Sequence, residues 1–129
     1  MKNIFQIGDK KIFERTVLPT DTATFETGMV HAVYATFAIA RDAEWAGRLF
    51  VLDMKEEDEE GIGTFISVRH LKPVAVGTKV TFEAVLTAIE GNRIQNSFTA
   101  YMGNEIFATG DQEQRILKRE KLEQLLPQP

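Results

Sequence analysis

The chain has 129 residues, enough for a single domain with its own core, and 43% of them are apolar. It contains no cysteine, which excludes disulfides, thiolate metal sites and cysteine nucleophiles, and its net charge of −4 argues against a general nucleic-acid binder while leaving room for a local basic rim toward an anionic small ligand. No apolar run reaches the length of a membrane span, and Met1 to Lys10 lacks an h-region and a small-residue cleavage site, so a cytoplasmic location is expected.

In chain order, Lys11 to Leu18 is β-branched and aromatic and reads as a first strand, which Pro19 ends. Thr20 to Gly28 is polar and Thr-rich and reads as loop. Val30 to Ala35 is either a short strand or the start of a helix. Thr36 to Leu52 is the best helix: Ile39, Ala43, Ala46 and Phe50 form one apolar stripe at i, i+4, i+7 and i+11. Alanines at 38, 40, 43 and 46 make one side narrow, so a sheet can wrap closely around it, and Thr36 suits the N-cap. Lys55 to Glu60 is expected to be an exposed acidic loop closed by Gly61.

The pattern then turns to strands. Gly63–Lys72, Thr78–Glu90, Arg93–Met102 and Glu105–Leu117 are four strand-like runs, broken at Pro73 to Gly77, at Gly91-Asn92 and at Gly103-Asn104. Val80, Phe82, Ala84 and Leu86 alternate with Thr81, Glu83, Val85 and Thr87. In the tail, Leu122, Leu125 and Leu126 form an apolar stripe on a short helix expected to pack on the sheet or a partner. One strand, one long helix and a four-strand meander make an α+β architecture, a five-stranded antiparallel sheet wrapped around one central helix, which is the hotdog arrangement. Its open sheet edges call for a second copy.

The residues that can carry chemistry are Thr36, Asp42, Glu44, His31 and His70. The histidines stand 39 positions apart with no paired carboxylate spacing, so no metal site is expected. Gly61-Ile62-Gly63 is a weak match to a phosphate loop, and no G-x-S-x-G elbow occurs. Glu44 has two readings. With Arg41 at i−3 and Arg48 at i+4 it fits a solvated salt-bridge stripe of about 0.2–0.5 kcal/mol per pair. Sheltered beside Trp45 it fits a catalytic base. His70 faces the same side as Val68, where a histidine is commonly a hydrogen-bonded core residue. Nothing around His31 singles it out.

Longer strings resemble a known family. Val33-Tyr34-Ala35-Thr36, Glu44-Trp45-Ala46, Gly63 to His70 (GTFISVRH), Gly77 to Thr81 (GTKVT), Glu90 to Arg93 (EGNR) and Glu105-Ile106 through Gly110 look like hotdog-fold thioesterases of the fluoroacetyl-CoA thioesterase type. The resemblance runs from Lys11 to Leu117. In that family a threonine, a glutamate eight positions later and a histidine twenty-six positions further are catalytic, and Thr36, Glu44 and His70 stand at both intervals. The resemblance therefore implies an acyl-CoA thioesterase that uses no cofactor. Glu44 would be its general base or nucleophile, His70 would position water or shuttle a proton, and Thr36 would orient the carboxylate or substrate. N–H groups near Phe37 and Ala38 would receive the oxyanion.

Three departures bear on specificity. Phe37 stands where the family has glycine after the threonine. The loop before the helix is shorter, so part of the family's lid is missing. Asp111-Gln112-Glu113-Gln114 replaces Thr-His-Glu-Arg after Gly110. Eight helical residues span about 12 Å, so Thr36 and Glu44 cannot touch on one straight helix. Either Thr36 lies before the helix or a second subunit completes the site. A homodimer with strands continuous between subunits is expected, with pairing into a tetramer open. Arg69, Lys72, Lys79 and Arg93 are the candidate cations for the coenzyme phosphates. The competing classes are a non-catalytic acyl-CoA or acyl-group binding module and a structural dimerisation domain. A hotdog hydratase is disfavoured because its D-x-N-P-x-H pattern does not occur.

Overall fold

The structure is a computed structural model that describes residues 1–128. Strand β1 (Lys10–Thr16) is followed by a 3-10 turn at Pro19–Asp21, strands β2 (Thr22–Phe25) and β3 (Gly28–Tyr34), and helix α1 (Thr36–Met54). Then come β4 (Glu59–Ile66), β5 (Arg69–His70), β6 (Lys79–Glu90), β7 (Arg93–Met102), β8 (Glu105–Lys118) and helix α2 (Arg119–Leu125). The main sheet is antiparallel in the order β1-β6-β7-β8-β4, with β5 also on β8, and it curls around α1. The expected hotdog architecture holds.

The core follows from the two periodicities. Ile39, Ala43, Ala46 and Phe50 are fully buried, and they meet Val80, Phe82, Ala84 and Leu86 of β6 and Ile94, Phe98 and Ala100 of β7. Small alanines let the sheet approach the helix axis, and edge-to-face rings such as Phe82–Phe107 fill the remaining space. No helix is long and apolar enough to cross a membrane among the described residues.

Several segments differ from expectation. Only β6, β7 and β8 form a meander; β4 crosses to the far side of β8. The expected Gly63–Lys72 strand starts earlier, at Glu59, and breaks into β4 and β5. The break has a distant cause. The Ser67 carbonyl passes so close over Gly110 that any Cβ at 110 would collide with it. The acidic loop is shorter than read, because Glu59 is buried and accepts from the Glu56 N–H and the Met1 amine. The Thr-rich loop holds the 3-10 turn and β2, which pairs with β3 in a separate two-stranded ribbon. Of the tail leucines Leu122 packs, whereas Leu125 and Leu126 are exposed, since the helix is only two turns long and one residue faces the sheet.

Candidate active site

Helix α1 opens on Ala35, not Thr36, and no side chain caps it. Thr36 is the first helical residue. Its hydroxyl, freed from capping, lies 3.0 Å from Nδ1 of His70 on β5. The other ring nitrogen, Nε2, is buried and has no protein partner among the described residues. Without a capping side chain, the first-turn N–H groups of α1 keep their donors for another acceptor, and the helix dipole favours negative charge there.

Glu44 sits two turns further along α1. It does not form the expected stripe with its neighbouring arginines. Arg41 pairs with Asp21 and Asp42, while Arg48 pairs with Glu60 and the Gly61 carbonyl. Glu44 is exposed, and its carboxylate is left without a hydrogen bond or ion pair among the described residues. It lies against β4, so close to Gly63 that a Cβ there would strike Oε1. Nor is it sheltered by Trp45, which is 41% exposed and meets Phe13 edge-on. Thr36 and His70 are thus brought together, and Glu44 is held on the same helix about 12 Å of axial rise away.

The other candidates sort by their surroundings. His31 is exposed on β3. Asp42 is 3% exposed and belongs to a clamp that the sequence reading missed. It accepts hydrogen bonds from Arg15, Arg41 and the Tyr34 hydroxyl, and Asp21 accepts from Arg15, Arg41 and the Leu18 N–H. Burial alone would raise the Asp21 carboxyl, but the Leu18 N–H, the Arg41 guanidinium and the Arg15 charge outweigh it and hold it below its ordinary value. Burial, then the hydrogen bond to Asp42, pushes the Tyr34 hydroxyl above its usual range. The only sequence signal for this clamp is a buried-side Asp next to an Arg at the helix start.

Of the four candidate cations, Lys72, Lys79 and Arg93 each have a carboxylate partner. Arg69 has none among the described residues and lines a polar cleft of about 410 Å³ with Ser67, Ser97, Thr99 and Thr109. Phe37 is 51% exposed beside Thr36, and its ring meets Phe25 of β2 edge-on at 5.7 Å between centroids. Among the described residues, no group of three His, Asp or Glu is placed to hold a metal ion.

Comparison with known proteins decides the family. The family described as fluoroacetyl-CoA-specific thioesterase matches residues 17–120. The chain belongs to this family. It is a thioester hydrolase of the hotdog superfamily. A fluoroacetyl-CoA thioesterase from Streptantibioticus cattleyicolor is 27% identical over 94% of this chain and 91% of its own length. A Thermus thermophilus protein described as a thioesterase superfamily member is 38% identical, covers 95% of this chain and 91% of its own, and superposes with a TM-score of 0.91. A variant of the fluoroacetyl-CoA-specific thioesterase, solved with fluoroacetate and CoA, is 26% identical over 92% of this chain and 99% of that chain, with a TM-score of 0.84.

Proposed function

We propose that this thioesterase hydrolyses a small acyl-CoA to the free acid and coenzyme A, using Thr36, Glu44 and His70 in a site shared between two copies of the chain. The observation that carries the reading is the pairing of Thr36 with His70 beside an uncapped helix start, with a carboxylate on the same helix that no cation neutralises. Buried polar atoms are normally hydrogen-bonded, and of the three residues His70 breaks that rule at Nε2, while Thr36 and Glu44 are exposed and open to a substrate.

Thr36 lies inside the helix, so it does not fold back onto Glu44. A second copy remains as the source of the third group: Glu44 of one subunit would face Thr36 and His70 of the other. Water adds to the thioester carbonyl as Glu44 takes its proton, or Glu44 itself attacks and water then cleaves the anhydride. The first-turn N–H groups of α1 receive the oxyanion. The tetrahedral intermediate expels the coenzyme thiolate, which takes up the proton that Glu44 removed from water, while His70, held through Nδ1 by Thr36, orients the attacking water. Phe25 and Phe37 give the acyl group an apolar wall. Arg69, the one of the four cations without a carboxylate partner among the described residues, is the candidate for the coenzyme phosphates, although Asp111 lines the same cleft.

The test is thiol release from a panel of short, branched and aryl acyl-CoAs. Glu44→Gln keeps the size of the side chain and should lower turnover by about 10²–10⁴ while substrate still binds. Turnover at the wild-type rate would end the assignment. Binding without turnover by the unaltered protein would instead leave an acyl-CoA binding module. Mixing inactive Glu44→Gln and His70→Ala proteins, unfolded and refolded together, tests the shared site. Random pairing restores about a quarter of wild-type activity if the site spans two subunits, and none if it lies within one.

A further inference from the structure

The sheet face beneath α1 is apolar except at Asn96 of β7, whose amide has no hydrogen-bond partner among the described residues, and at two glutamines of β8. Gln112 and Gln114 of β8 are 2% and 1% exposed, and they point at the helix where leucine or valine would normally pack. Burying an amide is unfavourable unless its hydrogen bonds are made. Here both amides make them, and to particular atoms. Nε2 of Gln112 donates to the Ala43 carbonyl at 2.5 Å, and Nε2 of Gln114 donates to the Glu44 carbonyl at 3.1 Å and to Oε1 of Gln112 at 3.1 Å. Among the described residues, these two carbonyls are the only ones on α1 that receive a side-chain hydrogen bond.

The helix is cut to admit them. Gly47 is buried in mid-helix, where glycine is unfavourable relative to alanine, and a Cβ there would collide with the Gln112 amide. Carbonyls inside a helix already accept from the residue four further on, so the glutamine bonds are additional and directional. Apolar packing alone tolerates a small slide of the helix along the sheet; two amide bonds to adjacent carbonyls do not. The turn they hold is the turn that carries Glu44.

We propose that Gln112 and Gln114 are positioning residues for Glu44, and that Gly47 is the vacancy in the helix that lets Gln112 reach. The inference rests on the catalytic reading of Glu44 given above. It also gives a role to two of the three departures from the family pattern after Gly110: at positions 112 and 114 this chain uses neutral amides that bond the helix backbone.

The test pairs Gln112→Ala with Gly47→Ala. The alanine at 47 occupies the space that Gln112 vacates and improves helix propensity, so the double variant should fold and melt within a few degrees of wild type. Gly47→Ala alone, with Gln112 still present, should be clearly less stable than the double variant. In steady-state kinetics on the best acyl-CoA, the double variant should lose about 10- to 100-fold in kcat with KM changed by less than about twofold, the signature of a displaced reacting group. A stable double variant with wild-type kcat would overturn the proposal, as would equal losses in kcat and affinity. Glu44→Gln is run alongside. If it loses turnover while the double variant keeps it, only the positioning role fails; if it keeps turnover, the catalytic reading fails and the positioning role with it.

Discussion

The first turns of α1 carry two polar clusters. In one, Asp21 and Asp42 are almost wholly buried and take up the guanidinium groups of Arg15 and Arg41, the Tyr34 hydroxyl and a backbone N–H. Two positive charges meet two negative ones, and each carboxylate oxygen has a donor. In the other, Thr36 and His70 share one hydrogen bond and Nε2 of His70 has none, while Glu44, about 12 Å of axial rise further along the helix, has no partner among the described residues. The first cluster ties β1, the 3-10 turn, β3 and α1 to one another. The second leaves the Glu44 carboxylate open to solvent and Nε2 of His70 buried without a partner among the described residues. Two carboxylates two positions apart on one helix, Asp42 and Glu44, thus differ in saturation: both oxygens of the first have donors and those of the second have none among the described residues.

Breaking the clamp should give the largest loss of stability. Asp42→Ala strips Arg15, Arg41 and the Tyr34 hydroxyl of a shared acceptor, and chemical denaturation should show a loss of about 3 kcal/mol, as for other broken buried pairs. A loss below about 1 kcal/mol would mean that water replaces Asp42 and that the clamp is ornamental. The pH dependence is smaller and comes from the same cluster. The Asp21 carboxyl is held below its ordinary value of 3.8, so its contribution is present above that pH and fades as pH falls below it. The Tyr34 hydroxyl is held above its ordinary value of 10.0, so its contribution is present below that pH and fades as pH rises beyond it. Melting curves should therefore fall off at both extremes, and Tyr34→Phe should flatten the alkaline limb alone. The smallest stability effect belongs to the unsaturated cluster. Glu44→Gln, proposed above to lower turnover, should move stability by less than about 0.5 kcal/mol, because no folded-state bond is lost.

The helix and the meander were legible because their signals are local. The stripe Ile39, Ala43, Ala46 and Phe50 needs only its own spacing, and Arg93–Met102 is bounded by residues that turn the chain. Gly91 and Gly103 take positive φ at those turns, as their composition suggested. The segments that escaped notice are set from elsewhere. Nothing in Ser67-Val68 announces a break, since the close approach that causes it is made possible by Gly110 on β8. The ribbon strand Thr22–Phe25 is four residues long and owes its form to pairing with β3. Arg41 and Arg48 sit at textual distances that suit Glu44, but better acceptors lie in space: the buried Asp21 and Asp42 for one, Glu60 for the other. The pairing of Thr36 with His70 spans 34 positions, and only family resemblance pointed to it. Gln112 and Gln114 looked like departures from a pattern until their amides were seen against the helix.

The strand order also shapes how the chain reaches this state. Strands β6, β7 and β8 follow one another through two-residue turns, so they can pair as soon as they exist. The outer strands cannot do the same. Lys10 waits for Val85, and Glu59 waits for Lys118. β8 leaves last of all the strands, yet it lies between β7 and β4 and carries the amides that seat the helix. During synthesis, then, α1 emerges early with its apolar stripe uncovered and stays so until β6 and β7, which meet it, arrive. The turn that carries Glu44 receives its two amide bonds only once β8 has entered between β7 and β4.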